Sequence, residues 1–214
     1  MTTTSTTASD WIPPGKNCGA CGSRTCDDFL LRVGSGLVTR EACPFYTRTG
    51  DRRIPVLERR YSGTDVVGQQ YDFVISALPG EPSARKIVLP FRPDMVERMD
   101  IVKGDIVTGR PAGAGCPVQH VIKVLDADLI TGVITGHVVG PAYARGCDVK
   151  DVKEYHMLGF EGKATPMKKE PSFGLRQSFL PGFCMMDRAH TGLVNMVIGK
   201  PWGIHVRVED VVIL

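Results

Sequence analysis

Residues 18–43 read CGACGSRTCDDFLLRVGSGLVTREAC, and their four cysteines decide how the N-terminal part of the chain folds. The cysteines follow the spacing C-x2-C-x4-C-x16-C. Thiolates select soft metals, and four of them suit either tetrahedral zinc or an iron–sulfur cluster. Zinc sites usually use two C-x2-C pairs, whereas here the first three cysteines share one loop. That arrangement suits a cubane cluster, which takes three ligands from one wrapping loop and a fourth from a distance.

The residues between the cysteines predict a loop followed by a short helix. Gly19 and Gly22 allow the backbone to turn tightly around an inorganic core. Thr25 is the predicted N-cap of a helix over the sequence DDFLLRV. Pro44 follows Cys43, and a proline at this position stiffens the ligand loop. A zinc site, or four thiols that bind no metal, is the alternative interpretation of the same pattern.

The segment from about Pro14 to Tyr46 resembles a known iron–sulfur family. The stretch CGACGSRTCDDFLLRVGSGLVTREACP is similar to the small four-cysteine domain of two proteins. These are the corrinoid iron–sulfur protein of acetyl-CoA decarbonylase/synthase and the B subunit of the Rnf electron-transport complex. The resemblance implies one [4Fe-4S] cluster per chain, with Cys18, Cys21, Cys26 and Cys43 as its ligands. The rest of the chain shows no cobalamin-binding barrel, flavin motif or C-terminal ferredoxin repeat that would extend the match.

The composition of the 214-residue chain excludes several classes of protein. With 43% hydrophobic and 23% charged residues it is not a disordered chain. Its formal charge of +3 is too small to indicate binding to nucleic acid. No apolar run reaches the roughly 18 to 20 residues that span a bilayer. The N-terminus lacks the pattern of a signal peptide and the seven cysteines are odd in number, so we expect a cytoplasmic protein without a disulfide framework.

We predict an α+β fold in which a small cluster-binding N-terminal module, a loop plus a short helix, precedes a β domain. The predicted segments are a disordered tail at 1–10, the [4Fe-4S]-binding module at 11–48, a linker at 49–60 and a β-rich domain at 61–214. In the last segment, many short strands between turns indicate a mostly antiparallel barrel or sandwich. The predicted hairpins join 71–78 to 85–91 and 192–198 to 203–208, and the predicted short helices cover 93–99 and 148–154.

The other three cysteines, Cys116, Cys147 and Cys184, lie far apart in the sequence and leave three interpretations open. They form a second cluster with His120 or a water as fourth ligand, or they are buried thiols that pack as small hydrophobic groups, or a single cysteine, Cys116, is reactive. We expect packing rather than ligation for Cys184. No histidine has metal-binding spacing, so each is predicted to be structural: His120, His137, His156, His190 and His205.

These features predict an iron–sulfur protein of anaerobic metabolism that carries single electrons to or from a larger redox protein or enzyme complex. A single cluster without another cofactor cannot retain the two electrons of a substrate, which favours relay over catalysis. The alternative is an anaerobic redox enzyme, or a subunit of one, with a second site around Cys116 in the C-terminal domain. A redox-sensing regulator is disfavoured because no DNA-recognition element is present in the sequence.

Overall fold

The computed structural model describes residues 11–13, 15, 17, 19, 21–43, 46 and 61–214. The chain divides into two compact units. One, called the cluster module below, comprises Met1–Arg60 with Gly140–Tyr143, and the other, called the β unit, comprises Tyr61–Val139 with Ala144–Leu214. The predicted tail at 1–10 and the predicted linker at 49–60 lie outside the described residues.

Helices are few and short in the described ranges. Helix α1 runs from Cys26 to Gly34 in the cluster module, and α2 runs from Asp94 to Arg98 in the β unit. Two 3₁₀ helices cover Arg40–Ala42 and Pro141–Ala144. None of the helices in the described part of the chain is both long enough and apolar enough to cross a membrane.

The β unit is built on strands, and nine of them form one sheet in the described residues. In chain order the strands are β1 (Phe73–Ser76), β2 (Arg85–Pro90), β3 (Ile106–Ala112), β4 (His120–Ala127), β5 (Ile134–Val139), β6 (Val149–Met167), β7 (Arg176–Pro181), β8 (His190–Lys200) and β9 (Gly203–Ile213). Most pairings are antiparallel, and β1–β7 and β3–β6 are parallel. The prediction of a mainly β domain is therefore confirmed as a mostly β structure with a large mixed sheet.

The 19-residue strand β6 organises the sheet because its two halves pair with different strands. Through residues 149–161 it pairs with β3 and β2, and these strands are joined through β4 and β5. Through residues 159–167 it pairs with β9 and β1, which are joined through β8 and β7. The strand pairings thus form two closed circuits that share β6.

Each circuit has its own hydrophobic core, as expected when alternate side chains of a strand face inward. The core of the first circuit contains Val88, Ile122, Val152 and Tyr155, all at most 2% exposed. The core of the second contains Phe73, Phe160, Phe179, Val194 and Val206, all at most 3% exposed. Burial of these side chains is the main favourable term in the stability of the β unit.

The local predictions in this unit divide into confirmed and wrong ones. The helix near residues 93–99 is present as α2, and the hairpin of β8 and β9 turns between Lys200 and Gly203 as predicted. The predicted helix at 148–154 is wrong, because these residues enter β6 and pair with β3. The predicted hairpin of 71–78 with 85–91 is also wrong. One edge of β1 pairs with β6 and the other with β7, so no edge is left for β2.

Candidate functional site

The first candidate site is the loop of the cluster module that precedes α1. Gly19 and Gly22 have φ angles of +66° and +80°, and the Gly22 amide donates to the Gly19 carbonyl oxygen over 2.9 Å. A Cβ atom on Gly19 would lie 1.6 Å from Cβ of Ala142, so glycine is required there both for its φ angle and for space. The tight turn that the sequence predicts at these glycines is present.

Helix α1 begins as the sequence predicts. The Thr25 hydroxyl accepts a hydrogen bond from the Asp28 amide over 3.0 Å, which makes Thr25 the N-cap. The amide of Cys26, the first residue of the helix, donates to Oδ1 of Asn17 over 2.7 Å. Asn17 therefore satisfies one of the unpaired amides at the helix N-terminus and ties the loop to it. A thiolate at Cys26 lies at the end of the helix dipole that favours negative charge.

The same loop is held from the other side by an arginine of α1. Nη1 of Arg32 donates to the Gly22 carbonyl oxygen over 3.1 Å and to the Ser23 hydroxyl over 2.9 Å. Ser23 is 2% exposed, so this contact fixes the middle of the C-x4-C segment. Beneath the helix, Phe29 is 1% exposed and packs edge-on against Trp11, with 6.3 Å between their ring centroids.

The four predicted ligands are distributed between the described and undescribed parts of the chain. Cys21 and Cys26 are partly exposed on the loop and at the start of α1, and Cys43 is buried directly after the 3₁₀ helix Arg40–Ala42. Cys18 lies outside the described residues. Among the described residues, no three His, Cys, Asp or Glu side chains are grouped as a metal site. The fit to a cluster rests on the thiolate donor set and on the glycine turn that carries it.

A second candidate site is a cavity of about 30 Å³ in the β unit. Cys116 and Cys184 line it, each from the loop before a strand, and both are partly exposed. His120 and His190, the first residues of β4 and β8, also line it. The apolar part of the lining includes Met157, Phe160, Phe183, Met186, Val211 and Ile213.

This arrangement corrects two interpretations of the three isolated cysteines. The thiols are not fully buried, because Cys116, Cys147 and Cys184 are all partly exposed. Nor do the three converge on one site, because Cys147 does not line the cavity. Cys116 and Cys184 do share the cavity with His120, yet the described residues contain no metal-binding group of three such side chains. The reactivity of Cys116 stays a prediction.

The residue that the sequence does not single out is Lys86, on β2, which also lines the cavity. It is 1% exposed, and its Nζ atom lies 2.7 Å from Oη of Tyr155 and 2.7 Å from Nδ1 of His120. Oη of Tyr155 and Nδ1 of His120 are 2.8 Å apart, so the three groups form a closed triangle. The available signal was strand alternation, since Lys86 falls on the same face of β2 as the fully buried Val88.

The surroundings shift the protonation of these groups. Burial lowers the pKa of Lys86 to about 7, although the nearby thiols of Cys116 and Cys184 act to raise it. Burial, followed by the charge of Lys86, lowers the pKa of His120 to about 3. Burial also lowers the pKa of His190 to about 4 and raises that of Tyr155. The site therefore holds two neutral imidazoles and a neutral phenol around an amine that titrates near neutrality.

His190 has a defined tautomer. Its Nδ1 atom lies 2.9 Å from the carbonyl oxygen of Arg188, which can only accept, so Nδ1 carries the hydrogen. The Nε2 atom of the neutral ring then carries the lone pair. The ring packs against Phe160 and Phe179, with centroid distances of 5.9 and 5.8 Å.

Comparison with known proteins finds one family that matches the N-terminal loop and one relative that matches most of the chain. A family model described as "Putative Fe-S cluster" matches residues 14–45, the segment that contains the glycine turn and α1. "Uncharacterized protein MJ0119" of Methanocaldococcus jannaschii is 32% identical over 203 residues, which cover 87% of this chain and 85% of that protein. The chain belongs to the family of this archaeal protein. The N-terminal segment of the present chain is an iron–sulfur module, and the β unit lies outside the family-model match. No solved structure matches the chain.

Proposed function

We propose that the cluster module holds one [4Fe-4S] cluster through Cys18, Cys21, Cys26 and Cys43, and that the protein carries single electrons to or from a larger redox partner. The observation that carries the proposal is the match of the iron–sulfur family to residues 14–45, together with the C-x2-C-x4-C loop and its glycine turn. When bound, a [4Fe-4S] cluster accepts and releases one electron at a time.

The residues of the module have defined tasks in this proposal. The cysteine thiolates bind iron, and Gly19 and Gly22 let the loop curve toward the metal without side chains in the way. Asn17, Thr25 and Arg32 hold the loop against α1 through the hydrogen bonds given above. Cys43 is the ligand most distant from the others in the sequence. Because it is buried, it would bind the cluster where solvent is excluded.

The test is a cysteine-to-serine substitution with a matched control in the β unit. Serine replaces a soft thiolate by a hard hydroxyl, so Cys43→Ser should lose most of its iron and of its EPR signal after reduction with dithionite. Cys147→Ser, which makes the same change at a cysteine outside the cavity, should keep the iron content and spin count of the unmodified protein. If Cys116→Ser, Cys147→Ser or Cys184→Ser removes a second set of spins, the proposal of a single cluster is wrong.

A second candidate function is supported by the cavity of the β unit. We propose as the alternative that the chain is an enzyme, or a subunit of one, with its chemistry beside Cys116. A relay protein has no need for a cavity lined by a buried lysine, two histidines and two thiols, because electron transfer to a cluster needs only its proximity to the surface. The closed triangle of Lys86, His120 and Tyr155 favours this candidate.

A further inference from the structure

The burial of Lys86 calls for an explanation. In the described part of the chain, Lys86 forms no ion pair, and its two hydrogen-bonding neighbours, His120 and Tyr155, are both neutral. A lysine that serves only packing is stabilised by a carboxylate or replaced by an apolar residue, because an isolated buried ammonium is costly. In the described residues no carboxylate pairs with the amine, which favours a role for the neutral amine itself.

A neutral lysine amine is a nucleophile toward carbonyl carbon. An ordinary lysine has a pKa of about 10.4 and is almost fully protonated at neutral pH. Lys86, with its pKa lowered to about 7 by burial, is about half unprotonated under the same conditions. Lys86 lines the cavity, which provides space beside its side chain for a second molecule.

We propose that the cavity is a carbonyl-binding site in which Lys86 forms a covalent imine with a small aldehyde or ketone. In this step the Nζ–C bond forms and the carbon–oxygen bond breaks. The two hydrogens that leave Nζ depart with the carbonyl oxygen as one water molecule. No oxidant or reductant is required.

The neighbours of Lys86 supply the proton transfers of this step. The departing oxygen needs a proton, and the Tyr155 hydroxyl, 2.7 Å from Nζ, is the nearest donor. Nδ1 of His120 lies within hydrogen-bond distance of both groups, so it can pass a proton between them. The lone pair on Nε2 of His190 provides a further acceptor in the lining.

The cavity determines the class of carbonyl compound. Its volume of about 30 Å³ has room for about two water molecules, which restricts the substrate to a few non-hydrogen atoms. Methionine and phenylalanine side chains form much of the lining, so the carbonyl carries an apolar group rather than a charged one. Cys116 and Cys184, the partly exposed thiols, also line the cavity.

The proposal deepens the second candidate function and is independent of the iron–sulfur cluster. Its test is reductive trapping with acetaldehyde and cyanoborohydride at pH 7, which converts an imine to a stable ethylamine. Peptide mapping of the full-length protein should find Lys86 labelled at least about tenfold faster than any exposed lysine, because far less of an ordinary lysine is unprotonated. Iron content, measured in parallel, separates a failure of this proposal from a failure of the cluster assignment.

Variants and a larger probe sharpen the test. Lys86→Met keeps the length of the side chain and should abolish the fast labelling, whereas Lys123→Met, at an exposed position on β4, should leave it unchanged. Tyr155→Phe removes only the hydroxyl and should slow the labelling by about tenfold or more. Naphthaldehyde, which exceeds the cavity, should not label Lys86.

Three results would overturn the proposal. One is labelling of Lys86 in the unmodified protein no faster than at exposed lysines. Another is equally fast labelling by naphthaldehyde, which would contradict the restriction to small carbonyl compounds. The third is an unchanged rate in Tyr155→Phe, which would remove the proton transfer from the mechanism. The first two results come from the unmodified protein, so they hold even if a variant fails to fold.

Discussion

The cluster module and the β unit reach their folds by different means. Among the described residues of the module, Phe29 is the one large apolar side chain that is almost completely buried. Instead of a hydrophobic core, hydrogen bonds between the cysteine loop and α1 stabilise this part of the module. The β unit has separate hydrophobic clusters inside two closed circuits of strands. A segment as short as the module rarely buries enough apolar surface to fold alone, so we expect metal binding to supply much of its folding free energy.

The largest expected effect is the response of the two regions to loss of metal. We expect hydrogen exchange on oxygen-bleached protein to show residues 11–48 losing protection, because the thiolates then no longer hold the loop to α1. Residues 71–214 should keep their protection, since apolar side chains form their cores. The untreated anaerobic protein is the control. Equal protection of both regions before and after bleaching would show that the module has enough structure of its own.

A smaller effect should come from a buried carboxylate that supports only the β unit. The Asp65 side chain is fully buried, and its oxygens accept hydrogen bonds from the amides of Val67, Gln69 and Ala189 and from Arg188, at 2.8 to 3.2 Å. Burial acts to raise the pKa of Asp65, but these hydrogen bonds outweigh it and leave the pKa below its usual value. Asp65→Asn should therefore cost about 2 to 4 kcal/mol of unfolding free energy at pH 7.

The pH dependence of this effect has a definite sign. Because the folded-state pKa of Asp65 is depressed, its contribution is present above the unfolded pKa of about 3.9 and is lost as pH falls through the folded value. Urea unfolding at pH 7 and at pH 3 should show the difference between Asp65→Asn and the unmodified protein shrinking on acidification. Asp126→Asn, at an exposed position on β4, should stay within about 0.5 kcal/mol. A difference that grows at low pH would contradict the assignment.

The sequence correctly predicts local features that depend on residues close together in the chain. Its predictions fail where a strand pairs with a segment that is distant in the chain. The glycine turn, the Thr25 cap and the β8–β9 hairpin all depend on contacts within a few residues, and all are present. The partners of β1 and the strand that replaces the predicted helix at 148–154 depend on pairing across the chain, which overrides local pattern.

The same distinction separates the two candidate sites. The cysteines of the module lie within 26 residues and can be recognised by their spacing. Lys86, His120 and Tyr155 come from three strands, so nothing in their separation along the sequence predicts that they meet. Only the position of Lys86 beside Val88 on a buried face of β2 distinguishes it from a surface lysine.

The most direct test of the central claim is the iron and acid-labile sulfide content of anaerobically isolated protein. A single [4Fe-4S] cluster in the module predicts about four irons and about four sulfides per chain. Both should fall together in Cys43→Ser and remain unchanged in Cys147→Ser. Stoichiometric zinc without sulfide would contradict the account, because the same four thiolates would then form a structural zinc site that carries no electrons.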